Sequence, residues 1–293
     1  MNARMTNVIV VGNQKGGVGK TTNTINMAAA LSELGRTSLI IDLDMTAGAT
    51  KSLGAPTEGW ISSFELLTGA EDAEGTIIGD NEREVFLPPN IHLVPSSRKL
   101  AELDTFLASN PWVVHQDLLL EPIRRLRGLY DYIFLDTPPQ VTKTTVPALK
   151  AADFVILSAM PDHLAIAGIA DALRDIATAK KYGNPQLVLL AVIVCAIPQP
   201  KTRLARQLIQ YVEQSCVGYD GQSLKFNTDI TRTVVIQEAQ RAVALKPRCE
   251  ENRVIMGLYH LPSTQPAWTR REPGGAHENP ETIIRPTALD LSP

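Results

Sequence analysis

The apolar run Val8-Ile9-Val10-Val11-Gly12 breaks into Lys15-Gly16-Gly17-Val18-Gly19-Lys20-Thr21-Thr22, and the apolar spacing that resumes over residues 22–34 is helical and stops at Gly35. A strand, a glycine-rich turn and a helix in that order commit the chain to a layered α/β unit with parallel strands. Gly16, Gly17 and Gly19 leave backbone N–H groups uncovered by any Cβ, a helix N-terminus stands behind them, and Lys20 adds a flexible cation. That combination cradles phosphate groups.

The general phosphate-loop pattern, G-x-x-x-x-G-K-[ST], asks for a first glycine at position 14, where this chain has Gln14. Lys15 is an additional lysine. Thr21 stands where such loops carry the hydroxyl that meets Mg²⁺. A bare glycine turn with two solvated lysines is the alternative, and the spacing and flanks argue against it.

With 293 residues, the chain has room for one α/β domain plus a tail. Hydrophobic content of 44% and charged content of 20% describe an ordinary globular composition. No apolar stretch is long enough to cross a bilayer, and residues 1–7 are polar, unlike a signal peptide. Cys195, Cys216 and Cys249 are too scattered for a disulfide framework or a zinc site, which fits a reducing cytoplasm.

Continuous β-branched runs at 8–11, 38–42, 91–94, 132–136, 154–157 and 187–194 read as strands covered on both faces. Helical patterns fall at 112–127, 164–182 and 202–215. The alternation predicts a doubly wound, mostly parallel sheet with helices on both faces. Residues 54–90 read as an excursion of loops and short helices anchored by Trp60 and Phe64. The expected domain spans 1–261, followed at 262–293 by a proline-punctuated tail expected to be disordered.

Ligands in doubly wound folds sit beyond the carboxyl ends of the strands, so acidic strand ends become candidates. Asp44 follows Leu39-Ile40-Ile41-Asp42-Leu43, and Asp136 ends Tyr132-Ile133-Phe134-Leu135. Carboxylates there can reach Mg²⁺ through its waters or orient an attacking water. The net charge of −3 carries no global nucleic-acid signature, but residues 198–260 hold nine Lys or Arg against six Asp or Glu. A DNA-contacting patch and a solvated face both fit that local excess.

These residues resemble the ParA/MinD group of deviant Walker-A P-loop ATPases, most of all ParA partition proteins, over about residues 7–258. The resemblance is carried by the loop with Thr22-Asn23-Thr24-Ile25-Asn26-Met27-Ala28, by Asp42-Leu43-Asp44, and by Leu93-Val94-Pro95-Ser96. Asp136-Thr137-Pro138-Pro139, residues 151–161 and the stretch from Ile230-Thr231-Arg232 to Glu238-Ala239 carry it further. It implies ATP and Mg²⁺ as cofactors, bound by Lys15, Gly16, Gly17, Val18, Gly19, Lys20, Thr21 and Thr22. By the same resemblance Lys15 crosses an ATP-bridged homodimer to the partner's phosphates, and Lys20 holds the β- and γ-phosphates. Thr21 meets Mg²⁺, Thr22 the α-phosphate side, Asp44 the hydrolytic water, and Asp136 binds Mg²⁺ through water.

Arg203 and Arg232 are the candidates for DNA phosphates. The chain departs from the family in having Met45-Thr46 where Pro-Gln is common, and Val235 where many relatives carry a second arginine.

The function implied is that of a cytoplasmic, nucleoid-associated ATPase that partitions or positions a cargo and is stimulated by a ParB-like or cargo-adaptor partner. Two alternatives share the fold. A MinD-like membrane switch needs a terminal amphipathic helix, which the proline-rich end does not supply. A small-molecule enzyme would respond to a substrate and not to DNA.

Overall fold

The computed structural model describes residues 5–79, 85, 87–218 and 220–233. Six parallel strands, β1 (Asn7–Gly12), β2 (Ser38–Asp42), β3 (Ile91–Val94), β4 (Tyr132–Asp136), β5 (Phe154–Ala159) and β6 (Val188–Val194), form one sheet in the order β3-β2-β4-β1-β5-β6. The doubly wound arrangement read from the alternation is the one observed. Successive side chains of each strand enter opposite cores: Val8 and Val10 face one, Ile9 and Val11 the other, and all four are buried. Two covered faces explain why these strands read as unbroken apolar runs.

On one face lies α1 (Lys20–Glu33), whose Ala28 and Ala29 pack against the sheet. Small side chains let the helix axis approach closely. The helix ends as its glycine signals, with Gly35 at φ +71°, Gly35 N donating to Ser32 O and Arg36 N to Leu31 O. The opposite face is covered by α5 (Leu120–Leu126), α6 (Thr145–Ala151), α7 (Ala165–Tyr182) and α8 (Arg203–Ser215). Thr202 caps α8 by accepting from Ala205 N at 3.2 Å.

The connection after β2 holds α2 (Gly48–Ser52) and α3 (Ser63–Thr68), and α4 (Leu103–Ser109) follows β3. Phe64 packs edge-on against Phe106, and Trp60 rests against the core, so both anchor the excursion as expected.

The helix expected over 112–127 is shorter. Pro122 lies in the first turn of α5, where its missing N–H is harmless; further inside a helix it would clash with the carbonyl four residues back. Residues before Leu120 therefore turn away, and Trp112 is left 95% exposed.

Past β6, residues 223–231 run beside the sheet through the parallel bridges Val192↔Lys225 and Ile197↔Thr231. The helix expected toward Glu238-Ala239 and the tail at 262–293 lie outside the described residues.

Candidate functional site

Three strand ends meet at the middle of the carboxyl edge. Val11 of β1 is in register with Asp136 of β4, and Asp136 with Asp42 of β2. The glycine-rich loop therefore leaves β1 beside Asp136, with Asp42 one strand further on, both distant from it in sequence. A cleft of about 1240 Å³ opens over this edge, lined at one end by Gly16, Gly17, Gly19, Lys20, Thr21, Thr22 and Asp44, and at the other by Cys195, Ala196, Pro198, Ile230, Thr231 and Arg232.

The loop keeps its shape through glycine backbone angles and through β5. Gly17 and Gly19 adopt φ +73° and +88°, the left-handed region in which a Cβ is strained. Gly19 precedes α1 without any side-chain cap, which leaves the helix N-terminus to an outside anion. Ser158 donates to Val18 O at 2.6 Å, and Asn13 Nδ2 donates to Ser158 O at 2.7 Å. Val18 itself is buried with its carbonyl held by Ser158, and of the expected binding loop it is not among the residues that line the cleft.

The two departures from the general loop pattern both point to the α7 side. Gln14, standing for the missing glycine, donates to Asp175 Oδ2 of α7 at 2.5 Å. Lys15 is hydrogen-bonded and ion-paired to Asp162, just before α7. Gly168 leaves room between them, since a Cβ there would meet Asn13 Oδ1 at 3.2 Å. None of these partners carried a signal in the sequence, because each contact spans more than 140 residues.

Lys20 is buried in the loop, and its ammonium meets the carbonyl of Lys15 at 3.1 Å. Burial pulls its pKa down, opposed by the charges of Asp136 and Asp44. Asp136 is fully buried, accepting from Thr21 Oγ1 at 2.7 Å. Its carboxyl is pushed well above the usual range, first by burial and then by the neighbouring charge of Asp42, against the Thr21 hydrogen bond and Lys20.

These residues fit a magnesium–nucleotide complex. A buried ammonium with donors to spare suits phosphate oxygens, and a hydroxyl touching a carboxylate is the hard-oxygen set that Mg²⁺ prefers.

Asp44 is half-buried at the cleft, its Oδ1 accepting from Thr46 N at 2.9 Å. Gly48 closes that loop onto the phosphate loop, since a Cβ there would stand 3.3 Å from Thr21 Oγ1. Met45 and Thr46, which depart from the family pattern, are exposed. The two candidate DNA contacts are placed differently. Arg232 lines the cleft, its amide bonded to Ile197 O at 2.9 Å, whereas Arg203 is exposed in the first turn of α8 between cleft-lining Thr202 and Leu204.

The sheet order, the loop and the carboxylates at neighbouring strand ends define a P-loop nucleotide-binding protein of the deviant, two-lysine kind. A family model described as an AAA domain matches residues 6–189. The chain is 35% identical over 231 residues to the chromosome-partitioning ATPase Soj of Thermus thermophilus, covering 79% of this chain and 83% of that one.

Among solved structures it resembles cobyrinic acid a,c-diamide synthase from Mycobacterium smegmatis with a bound ATP analogue and magnesium. That likeness has a TM-score of 0.67 and 28% identity, over 82% of this chain and 93% of the other. It also resembles the septum site-determining protein MinD of Pyrococcus horikoshii with Mg-ADP, at a TM-score of 0.62 and 25% identity, over 87% and 94% of the two chains. The chain belongs to the ParA/MinD family of deviant Walker-A P-loop ATPases. Among the described residues no helix is long and apolar enough to cross a membrane.

Proposed function

We propose that this protein is an ATPase that dimerises around ATP, binds nucleoid DNA non-specifically, and partitions or positions a cargo under the control of a stimulating partner. The observation that carries this reading is Lys15, a second lysine beside a complete phosphate cradle, partly exposed and held by one carboxylate of its own chain. The similarity to Soj supports the partitioning role.

In this reading Lys20 and the backbone of 16–21 hold the phosphates, while Thr21 and Asp136 hold Mg²⁺, which screens the phosphate charge. Asp44 orients water for in-line attack on the γ-phosphorus. The developing charge is met by Lys20 and by Lys15 of a second copy, so hydrolysis depends on dimerisation. Arg203 and Arg232 contact DNA phosphates, with the salt dependence that counterion release imposes.

The test is ATP turnover with and without DNA, in wild type and in Asp44→Ala. DNA-stimulated turnover in wild type, with an ATP-bound but inactive dimer in Asp44→Ala, is expected. Full turnover in the variant would remove Asp44 from the mechanism. A second reading, a small-molecule enzyme on the same fold, draws on the likeness to the cobyrinic acid enzyme. Turnover indifferent to DNA but raised by a small substrate would favour it.

A further inference from the structure

Asp44 follows β2 in a turn whose next two residues are exposed, yet its main chain is held on both sides by buried groups. Its amide donates to Asp42 Oδ1 at 3.1 Å. Its carbonyl accepts from Ser96 Oγ at 2.7 Å and from Ala47 N at 2.8 Å. The same Asp42 carboxylate, through Oδ2, accepts from Thr50 N at 2.9 Å and Thr50 Oγ1 at 2.7 Å. Thr50 Oγ1 in turn accepts from Ser96 N at 2.8 Å. The bonds close into a ring, Asp44–Asp42–Thr50–Ser96–Asp44.

Asp42, Thr50 and Ser96 are each fully buried, so the ring lies in a low-dielectric interior where hydrogen bonds are strong and mutually reinforcing. The Asp44 side chain leads out of it toward the cleft. Ser96 joins the ring from beyond β3, and the neighbouring segment is itself tied down, with Ser97 Oγ 2.9 Å from Ser62 Oγ and Lys99 bonded to Glu65 at 2.7 Å.

We infer that Ser96, braced through Thr50 by Asp42, is a positioning residue for ATP hydrolysis: it fixes the Asp44 carbonyl and thereby the direction in which the Asp44 carboxylate meets the attacking water. The inference rests on the proposed role of Asp44. Water aligned for in-line attack tolerates little error, and a displacement of about 1 Å slows a positioned reaction by as much as ~100-fold. None of the ring's hydrogen bonds reaches residues 14–22, so loss of Ser96 leaves the phosphate loop's own contacts in place.

The experiment measures ATP turnover, affinity for a fluorescent ATP analogue, and thermal unfolding in the full chain. Ser96→Ala is expected to lower kcat by roughly tenfold or more with nucleotide affinity and KM nearly unchanged. Ser96→Thr, which keeps the hydroxyl, restores most of the rate. Because Ser96 acts through Asp44, the Asp44→Ala/Ser96→Ala double variant is no slower than Asp44→Ala alone.

Wild-type turnover in Ser96→Ala, with Asp44→Ala inactive, would overturn the inference and leave the Asp44 assignment standing; an active Asp44→Ala would overturn both. Should Ser96→Ala fail to fold, Thr50→Val and Thr50→Ser decide. A slow Val variant beside a normal Ser variant supports the ring, and normal turnover in both refutes it.

Discussion

Lys15 is ion-paired with Asp162 of its own chain, on the α7 side of the phosphate loop. In the proposed mechanism Lys15 acts on the phosphates of a second copy, so this pair must break as the dimer forms. Partial burial alone would raise the Asp162 carboxyl; the Lys15 hydrogen bond, the Leu164 amide and the Lys15 charge outweigh it and hold the carboxyl below the usual range. A depressed carboxyl keeps its pair above the unfolded pKa and loses it only as pH falls through the lowered one, so the pair is intact at neutral pH.

Asp162→Asn should therefore favour the ATP-dependent dimer. Both partners are about one-third exposed, which limits the pair to about 1 kcal/mol or less, and two pairs break per dimer; the dimer constant should rise by about twofold to thirtyfold. Sedimentation velocity across an ATP titration reads this. Weaker dimerisation in Asp162→Asn would mean that Asp162 serves the dimer and not the monomer. Lys15→Ala should still bind ATP but lose the dimer.

Lys20→Ala should weaken ATP binding by roughly 10- to 150-fold, the equivalent of one charge-assisted hydrogen bond. Thr21→Val should remove the Mg²⁺-dependent part of the affinity, whereas Thr21→Ser keeps the hydroxyl and most of the binding. Calorimetric titration with and without Mg²⁺ separates the two. Undiminished affinity in Lys20→Ala would contradict the assignment of the loop.

The loop glycines should differ in what they tolerate. Gly19→Ala and Gly17→Ala place a Cβ at positive φ and should each lose about 1–2 kcal/mol of stability in urea unfolding. Gly16 has no positive φ, and a Cβ there meets Pro139 at an ordinary 3.8 Å. Gly16→Ala should be neutral or stabilising by up to about 1 kcal/mol. Equal losses at all three would show that neighbours, not backbone angles, set the requirement.

Asp229 fastens the far end of the cleft, with Lys201 Nζ bonded to it at 2.5 Å and Lys225 Nζ at 3.1 Å. Lys201 foremost, with Lys225, holds its carboxyl below the usual range against the opposing effect of burial. Its stabilisation is present above the unfolded pKa and vanishes as pH falls through the lowered one. Asp229→Asn should lose roughly 0.5–1 kcal/mol at pH 7, discounted for partial exposure, and the gap to wild type should close in acid and shrink in salt. A gap independent of pH would exclude the ion pairs as its origin.

The strands at 38–42, 91–94 and 132–136, the Gly35 terminus of α1 and the glycine loop were legible in the sequence because each is a local event. Two-sided burial writes an unbroken apolar run, and a left-handed cap calls for glycine. The positions of Asp136, which ends β4, and of Asp44, two residues past the end of β2, were legible for the same reason, since a carboxylate at or just beyond the end of a buried strand stands out against its neighbours. Even locally the reading failed where one residue outweighed a pattern: Pro122 cut short the helix that the spacing of 112–127 suggested, and Trp112 was left in solvent.

What only the tertiary structure decided is which distant groups meet. The register of β2, β4 and β1 sets Asp42 beside Asp136, the packing of α7 gives Gln14 and Lys15 their carboxylates, and Ser96 reaches Asp44 across 52 residues. Hydrogen bonds and ion pairs are short-ranged and directional, so they leave no periodic trace along a chain and appear only once the sheet has brought their partners together.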